Sequence, residues 1–323
     1  MFRWMLACAF IGASLNVQAL DDPWLALQKT AFAARELNYQ GVFVYQNGNQ
    51  ARSVQITHMN NAGRELTRNV VLDGQPREVF SEGSDIVIFN AKNNKVVIEK
   101  RRGQNLFPAM LPTNLDVLKN SYTAKLGMVE RIAGRDAQII DLVPNDGYRY
   151  FIKVWSDVEF GLLVKMSLMD RQGQVLEQIG FTQLSMLNTH DLNWFQPKID
   201  LTKQYVMEEE TTVNHVTTNW VVANLPPGYR KIDHIEHIVP GKSTVVNQVI
   251  FSDGIASVSM FIEPIKKGDR PKMGHKVLGS TNICANVVEG YQVIVVGEVP
   301  AQTVQQIAKA VSFSKQTQTT ANK

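Results

Sequence analysis

A few residue patterns in the chain have types and spacing that resemble reactive or metal-binding sites. His234-Ile235-Glu236-His237 resembles a metal motif, but a zinc-binding helix places its histidines four residues apart, so that both face one ion. Here the spacing is three and the local pattern is typical of a strand, on which residues three apart point to opposite faces. We therefore expect no metal site at this motif.

Several carboxylates lie near predicted turns, namely Asp146, Asp157, Glu159 and Asp170. Acid–base catalysis needs positioned groups, and nothing in the pattern brings two of these together. The sequence has no G-x-S-x-G nucleophile elbow and no glycine-rich nucleotide loop. We expect no catalytic residues and no cofactor. Arg149 would pair with Asp157 across a hairpin if the strands are in register.

The composition is that of a globular protein. The 323 residues include 33 Lys and Arg against 30 Asp and Glu, a net charge of +3, with 44% hydrophobic and 20% charged residues. These values exclude collagen-like, mucin-like and wholly disordered chains. The near-neutral charge argues against a nucleic-acid binder, which is usually strongly basic. At about 100–200 residues per domain, the length predicts two domains.

Residues 1–19 have the pattern of a secretion signal. Arg3 supplies the positive start, residues 5–15 are apolar, and Val17-Gln18-Ala19 gives the small-x-small pattern that precedes a cleavage site. The apolar run is too short to cross a bilayer core of about 30 Å, which argues against a membrane anchor. We therefore expect a cleaved signal and an exported protein.

Cleavage would leave Cys284 as the one remaining cysteine, so that no internal disulfide can form. The neighbouring residues offer no cation or helix start that would activate its thiol. We expect Cys284 to be a small buried apolar group in a strand.

One helix and a long series of strands are predicted after the signal. Asp22 can cap a helix whose first position is Pro23, and apolar residues recur at helical spacing as far as residue 38. Over residues 41–181, short β-rich runs alternate with turns, which indicates an antiparallel meander. One helix packed on one large curved sheet is the simplest arrangement.

A change in amino-acid composition predicts a linker that precedes a smaller α+β domain. The same linker is the candidate hinge between the two domains. In the smaller domain Pro300 starts a helix with an apolar stripe: Val304, Ile307, Ala308 and Val311. The predicted boundaries are 1–19 for the signal, 20–205 for the first domain, 206–217 for the linker, 218–314 for the second domain and 315–323 for a disordered tail.

The stretch Leu106-Phe107-Pro108-Ala109-Met110-Leu111-Pro112 is apolar, yet its prolines prevent it from being a central strand. Two interpretations remain open. The segment is either a loop that packs on the core or a lid over an apolar cavity, since long loops in compact domains are often functional.

Several short motifs follow one another along the chain in a specific order and spacing. They are Tyr39-Gln40-Gly41-Val42-Phe43-Val44-Tyr45, His58, Asp73-Gly74, Arg77-Glu78, Arg131-Ile132-Ala133-Gly134-Arg135, Asp146, Arg149-Tyr150, Trp155, Asp157, Leu225-Pro226-Pro227-Gly228-Tyr229, Ser252-Asp253-Gly254-Ile255-Ala256-Ser257-Val258-Ser259 and Gly297-Glu298-Val299-Pro300. Together they resemble the motifs of the periplasmic sigma-E regulatory proteins of the RseB/MucB family, and the resemblance extends over residues 24–311. Tyr229 and Ile255 stand where the family pattern has Phe and Leu.

The resemblance implies a non-enzymatic, periplasmic binding protein of two domains. Its first domain would be an unclosed antiparallel half-barrel with a packed helix, similar to the lipoprotein carriers LolA and LolB, and the second a smaller α+β domain. Members of such a family bind the periplasmic part of a membrane-bound anti-sigma factor and shield it from proteolysis. Lipopolysaccharide or lipoprotein acyl chains displace them, and dimers or larger assemblies are expected.

Such a half-barrel has one concave face, which alternating strand residues can line. We predict that Val54, Ile56, Ile86 and Ile88 line an acyl-chain cavity and that Leu106, Phe107, Met110 and Leu111 cover it. Covering the cavity would keep an apolar surface away from membranes.

The predicted contacts with the partner lie in the second domain. They are Asp253, Gly254, Ser257 and Ser259 of one family motif, together with Lys266, Lys267 and Arg270 of a basic loop. Basic loops attract anionic lipid head groups or acidic peptides, although charges on a solvated loop often serve no such role.

Two other classes of function are alternatives to a regulator. A lipid or lipoprotein carrier would use the same cavity but would not need the second domain. An envelope hydrolase would need reactive groups, and Asp146, Asp157 and His58 are the residues that would be tested for it.

Overall fold

The computed structural model describes residues 22–90, 95–100, 105–189, 191–198, 200, 202, 204–209, 220–238 and 245–313. The predicted signal segment and the C-terminal tail lie outside these residues. Within them, no helix is both long enough and apolar enough to cross a membrane.

The first helix, α1 (Pro23–Glu36), begins as the sequence predicts. The Asp22 carboxylate accepts a hydrogen bond from the backbone N–H of Trp24 at 2.8 Å, and proline occupies the first turn, where its missing N–H costs nothing. The helix buries Leu27, Ala31 and Ala34 against the sheet.

The first domain is built on one large sheet. Its strands are β1 (Tyr39–Asn47), β2 (Gln50–Asn61), β3 (Arg64–Val71), β4 (Arg77–Glu82), β5 (Asp85–Asn90), β6 (Lys95–Lys100), β7 (Tyr122–Ile132), β8 (Arg135–Pro144), β9 (Phe151–Asp157), β10 (Leu163–Met169), β11 (Val175–Met186) and β12 (Val206–Glu209). A short helix, α2 (Asp116–Lys119), precedes β7, and a 3₁₀ turn, Leu192–Phe195, follows β11.

The strands of this sheet lie in the order β12-β6-β5-β4-β3-β2-β1-β11-β10-β9-β8-β7. All neighbouring pairs are antiparallel except β12 with β6. Because β12 and β7 do not pair with each other, the sheet is unclosed. The predicted fold class, a mostly β protein with an open sheet and a packed helix, is confirmed.

The core of the first domain lies between α1, the segment that follows residue 104 and one face of the sheet, here called the inner face. Leu27 of α1, Leu118 of α2 and Ile140 of β8 are each fully buried in this core. The helix therefore covers part of the inner face, and side chains of the segment that follows residue 104 cover a further part.

The second domain has its own sheet and core. Its elements are β13 (Trp220–Val222), β14 (Arg230–Ile238), β15 (Val245–Ser252), β16 (Ser257–Pro264), β17 (Gly274–Leu278), β18 (Thr281–Val288), β19 (Tyr291–Gly297), α3 (Ala301–Lys309) and β20 (Val311–Phe313). Six of these strands form a sheet in the order β14-β15-β16-β19-β18-β17, while β13 pairs with β20.

The predicted apolar stripe of the last helix is confirmed. Val304, Ile307 and Ala308 are fully buried, and they pack in one core with Val293 and Val295 of β19. Val311, the fourth residue of the predicted stripe, begins β20 and is 5% exposed.

The boundary between the domains differs from the predicted one. Residues 206–209, predicted as the start of the linker, form β12 and pair in parallel with β6. Backbone pairing rather than an apolar face holds this strand, since Val206 and Met207 are exposed. Residues 210–217, the rest of the predicted linker, lie outside the described residues.

Candidate functional site

An apolar pocket of about 420 Å³ opens on the inner face of the first sheet. Its wall comes from several strands and the segment after residue 104: Phe43, Tyr45, Val54, Asn69, Val71, Arg77, Val79, Ile86, Ile88, Glu99, Lys100, Leu106, Phe107 and Ile179. The pairs Phe43 and Tyr45 or Ile86 and Ile88 are two residues apart, as expected for side chains that share one face of a strand. The volume lies in the range of about 300–1,000 Å³ that is usual for small-molecule sites.

Five of the predicted acyl-chain residues lie at the pocket wall: Val54, Ile86, Ile88, Leu106 and Phe107. Ile56 and Leu111 are each only 1% exposed and belong to the packed core. Met110 lines a different pocket, of about 190 Å³, which lies between the two domains. Of the eight predicted residues, five therefore line the apolar pocket, two lie in the core of the first domain and one lies between the domains.

The segment over the pocket is fixed in place by aromatic packing. The ring of Phe107 lies 5.0 Å from that of Phe43 and 4.9 Å from that of Phe181, between centroids, and its side chain is 6% exposed. Burying a side chain of this size contributes about 1.5–3 kcal/mol. Leu106, in contrast, is 38% exposed and stands at the rim.

Helix α1 holds the backbone of this segment. The Arg35 guanidinium donates hydrogen bonds to the carbonyl oxygens of Ala109 at 3.0 Å and Leu111 at 2.9 Å, and the Gln28 amide donates to that of Thr113 at 2.8 Å. The segment is therefore packed on the core and also forms part of the pocket wall. The packing on the core agrees with the first of the two interpretations left open by the sequence, and the role as a lid stays a prediction.

The buried Arg149 side chain lies at the contact between the two domains. Its Nε donates to the carboxylate of Asp253 at 2.7 Å, its Nη1 donates to Asp146, and its Nη2 donates to the carbonyl oxygen of Pro227. Arg149 is 1% exposed and Asp253 is 1% exposed, so water screens this pair little. Asp253 and Pro227 belong to the second domain, so this guanidinium joins the domains.

Two tyrosines stand over the same guanidinium. Its carbon lies 5.0 Å from the ring centre of Tyr229 and 5.9 Å from that of Tyr122. Burial raises the pKa of both phenols well above the ordinary value, and the nearby charge of Asp253 adds to this effect. Both rings therefore stay neutral and offer their faces to the cation.

The predicted pair of Arg149 with Asp157 is wrong. Asp157 instead accepts hydrogen bonds from Arg135, and the two carboxylates of Asp146 and Asp253 hold Arg149. Arg149 precedes β9 and Asp157 ends it, so the two residues lie at opposite ends of one extended segment. At about 3.3 Å per residue they are separated by roughly 26 Å.

A second group of contacts between the domains surrounds Glu177 of β11. Its carboxylate accepts a hydrogen bond from the Ser280 hydroxyl at 2.8 Å, and Asn47 donates to that hydroxyl at 3.0 Å. Desolvation raises the pKa of Glu298 to about 7, with a further contribution from the charge of Glu177. Because the Glu298 side chain keeps an exposed side, water screens part of this shift. The pKa of Glu177 is also raised, mainly by burial.

The predicted partner residues differ in burial: Asp253 is buried, Gly254, Ser257 and Ser259 are partly exposed, and the three basic residues are exposed. Both carboxylate oxygens of Asp253 have partners within the protein: one accepts from Arg149, and the other accepts from the backbone N–H groups of Ile255 and Ala256. Gly254 faces Val117 and Leu118 of the first domain. Both residues form the contact between the domains in this structure, and a direct contact with a partner stays a prediction.

The remaining predicted partner residues are more accessible. Ser257 lines the pocket between the domains, and the Ser259 hydroxyl accepts a hydrogen bond from Gln248 at 3.2 Å. Lys266, Lys267 and Arg270 are exposed on the loop that precedes β17. Their role in binding stays a prediction.

Sequence reasoning missed the buried Arg149 contact with Asp253. The separation of 104 residues between them carries no local signal of proximity. The signal in the sequence that could have indicated this contact is that Asp146, Pro227 and Asp253 all belong to turn motifs included in the family resemblance.

The His234-Ile235-Glu236-His237 motif lies on strand β14, as predicted. His234 of β14 has its Nε2 at 2.9 Å from the Asn247 side-chain oxygen, a contact within the sheet. Among the residues that the structure describes, no group of three or more His, Cys, Asp and Glu side chains is arranged to hold a metal ion. Cys284 lies on β18 as predicted, but it is only half-buried.

The chain was compared with known proteins. Family models of the MucB/RseB N-terminal domain and C-terminal domain match residues 22–199 and 214–312. The sigma-E factor regulatory protein RseB of Haemophilus influenzae is 26% identical over 290 residues, 89% of this chain and 90% of its own length. The sigma factor AlgU regulatory protein MucB of Pseudomonas aeruginosa is 28% identical over 301 residues, 91% of this chain and 92% of its own.

Solved structures of MucB share the fold. MucB in complex with MucA(peri) matches with a TM-score of 0.73 and 26% identity, over 91% of this chain and 99% of that chain. A crystal structure of MucB matches with a TM-score of 0.65 and 26% identity, over 91% of this chain and 98% of that chain. The chain therefore belongs to the MucB/RseB family, whose named members are regulatory proteins of sigma factors and not enzymes.

Proposed function

We propose that this protein is a periplasmic negative regulator of a sigma-E-type envelope-stress response. It binds the periplasmic part of a membrane-bound anti-sigma factor and shields that segment from regulated proteolysis. The observation that carries this proposal is the similarity, over 91% of the chain, to MucB in complex with MucA(peri). The secretion-signal pattern of residues 1–19 supports the periplasmic location.

A lipid signal releases the partner in this proposal. Acyl chains of lipopolysaccharide or of a lipoprotein enter the apolar pocket of the first domain, where each buried CH₂ group contributes about 0.8 kcal/mol. The apolar wall and the volume of about 420 Å³ support this ligand class. Arg77 at the same wall offers positive charge to an anionic head group, whereas Lys100 lies 3.9 Å from Asp85 and Glu99 adds a negative charge.

The pocket is physically connected to the contact between the domains. Phe107 lines the acyl-chain pocket, and Met110, three residues later, lines the pocket between the domains. Ile179 of β11 lines both pockets, and Glu177 on the same strand receives the hydrogen bond from Ser280. A ligand that displaces these side chains favours a different arrangement of the domains, and by linkage it changes the affinity for the partner.

A protease assay tests the proposed function. The periplasmic domain of the anti-sigma factor is exposed to its first protease with and without the full chain, and lipopolysaccharide is then added. We expect the chain to slow cleavage and the lipid to restore it. If cleavage proceeds equally fast with a saturating amount of the chain, the shielding role is wrong.

A periplasmic lipid or lipoprotein carrier is the second candidate, because the apolar pocket alone would serve transport. A carrier does not need the second domain, whereas a regulator that reads the pocket through the domain contact does. Deletion of residues 218–323 therefore separates the two roles. If the shortened chain still protects the partner and still answers to lipid, regulation through the domain contact is wrong.

We also propose that the protein forms dimers or larger assemblies, as the family resemblance implies. Analytical ultracentrifugation of the full chain at several concentrations measures this directly. A single monomeric species at every concentration would contradict it.

A further inference from the structure

Strand β17 is an uncovered edge of the second sheet. It ends the strand order, and among the described residues it pairs only with β18. All five of its residues are exposed, so neither face of the strand is packed on a core. An edge of this kind presents backbone N–H and C=O groups that have no strand partner within the described part of the chain.

The other edge strands are less suited to receive a further strand. The pairing of β7 shifts between Leu126 and Val129, and that of β14 shifts between Lys231 and Asp233, and such irregularities turn an edge away from regular pairing. Strand β12 has only four residues, and β13 and β20, the edges of the two-stranded sheet, have three each. By contrast, β17 pairs with β18 in one unbroken register from Gly274 to Leu278.

Contacts at both ends hold β17 in place. Before the strand, the Gln292 amide donates to the carbonyl oxygen of Lys272 at 2.9 Å, and its own oxygen accepts from the Lys272 backbone N–H at 2.6 Å. Along the strand, the His275 ring lies 2.7 Å from the Asn282 oxygen, and after it Ser280 is fully buried in the domain contact. An incoming strand would therefore not have to order this edge, which lowers the entropic cost of binding.

The charge around this edge has one dominant sign. Residues 266–279 are all exposed, and the segment contains one acidic residue, Asp269, whose carboxylate accepts from the backbone N–H of Lys266. Among the residues that the structure describes, none of four cationic side chains in this segment has an ion-pair partner: Lys267, Arg270, Lys272 and Lys276. This excess of positive charge opposes pairing of β17 with the same edge of a second copy, because like charges opposite each other destabilise a sheet.

We propose that β17 and the basic loop before it bind an extended acidic segment of the anti-sigma partner, which adds to the second sheet as a further strand. The inference rests on the proposed function and assigns a binding mode to it. Backbone hydrogen bonds along β17 supply affinity, and exposed Val277 and Leu278 supply apolar contacts on the two faces. Lys267, Arg270 and Lys276 select for acidic side chains and accelerate the encounter.

Hydrogen–deuterium exchange of the full chain, alone and with the periplasmic domain of the anti-sigma factor, tests this binding mode. We expect the backbone amides of residues 274–278 that point away from β18 to exchange at least tenfold more slowly in the complex. The triple variant Lys267→Glu, Arg270→Glu, Lys276→Glu should lose about tenfold in affinity at low ionic strength and less at high salt. Lys125→Glu, a single reversal on an exposed residue of β7, is a control for charge reversal outside this segment and should bind normally.

The outcomes distinguish the inference from the function on which it rests. If the complex forms but the β17 amides exchange as before and the triple variant binds normally, the strand-addition mode is wrong and the regulator stands. If no complex forms, both are wrong. If protection of β17 rises with protein concentration alone, the strand is an edge through which copies of the chain associate. If only phosphatidylglycerol vesicles protect β17, the strand contacts a membrane. Either result overturns the inference.

Discussion

Replacing Arg149 with methionine is the perturbation that the structure defines most closely. The side chain has no exposed surface and carries the only cationic group that reaches Asp253 among the described residues, while the Asp253 side chain is itself fully buried. Methionine keeps much of the volume but leaves that carboxylate without a cation. Removal of one partner from a buried ion pair costs about 3–5 kcal/mol, and we expect a loss of this size in the Arg149→Met variant.

The exposed pair of Arg64 with Glu82 provides the matched control. Its guanidinium also contacts a carboxylate, at 2.6 Å, but the two side chains are 61% and 54% exposed. Exposed pairs contribute about 0.2–1 kcal/mol, so Arg64→Met should change stability little. Both substitutions remove a guanidinium, but Arg64 lacks the burial, the second carboxylate and the tyrosine contacts of Arg149, so the comparison measures these features together.

Denaturant unfolding of both variants measures the difference, and small-angle X-ray scattering shows whether the domains separate. If the domains separate, water hydrates the Asp253 carboxylate. The free energy of unfolding then falls by less than expected, and the radius of gyration increases. Adding Asp253→Asn to Arg149→Met should recover part of the loss, because the stranded charge is gone. The reasoning is refuted if Arg149→Met and Arg64→Met are equally stable and equally compact.

Further predictions concern the pocket, the domain contact and the core. Leu106→Asp should weaken acyl-chain binding, measured by fluorescent fatty-acid displacement, and leave the fold intact because Leu106 is 38% exposed. Phe107→Asp should also lower lipid binding, and retained binding in both variants would contradict the pocket. The raised pKa of Glu298, about 7, means that the docked domains bind more protons than the separated ones, so docking should strengthen as pH falls through about 7 towards 4.5. Glu298→Gln should flatten that dependence in scattering measurements, and an unchanged pH profile would count against it. Gly41→Ala should lower the unfolding midpoint, because its Cβ would lie too close to the carbonyl oxygen of Gln183, and a midpoint equal to that of the parent would contradict this contact.

The sequence predicted elements that are specified by their own residues. The Asp22 cap and the buried stripe of α3 follow from local spacing, and the pocket residues Ile86 and Ile88 follow from the two-residue period of a strand. Strand β17 was not predicted because it is exposed on both faces and therefore shows no alternation.

Long-range contacts were not predictable in the same way. The bond between Arg149 and Asp253 depends on how two domains meet, which no local period encodes. For the same reason, β12 was assigned to the linker, since its pairing with β6 depends on the backbone and not on an apolar face.

The measurement that tests the central claim most directly is calorimetric titration of the anti-sigma periplasmic domain into the full chain, with and without saturating lipopolysaccharide. If occupation of the pocket is coupled to partner binding, the lipid should raise the partner's dissociation constant by about 5–150-fold, the usual range for coupled sites. The partner should weaken lipid binding by the same factor. An unchanged dissociation constant, with the lipid shown to be bound in the pocket, would contradict the account.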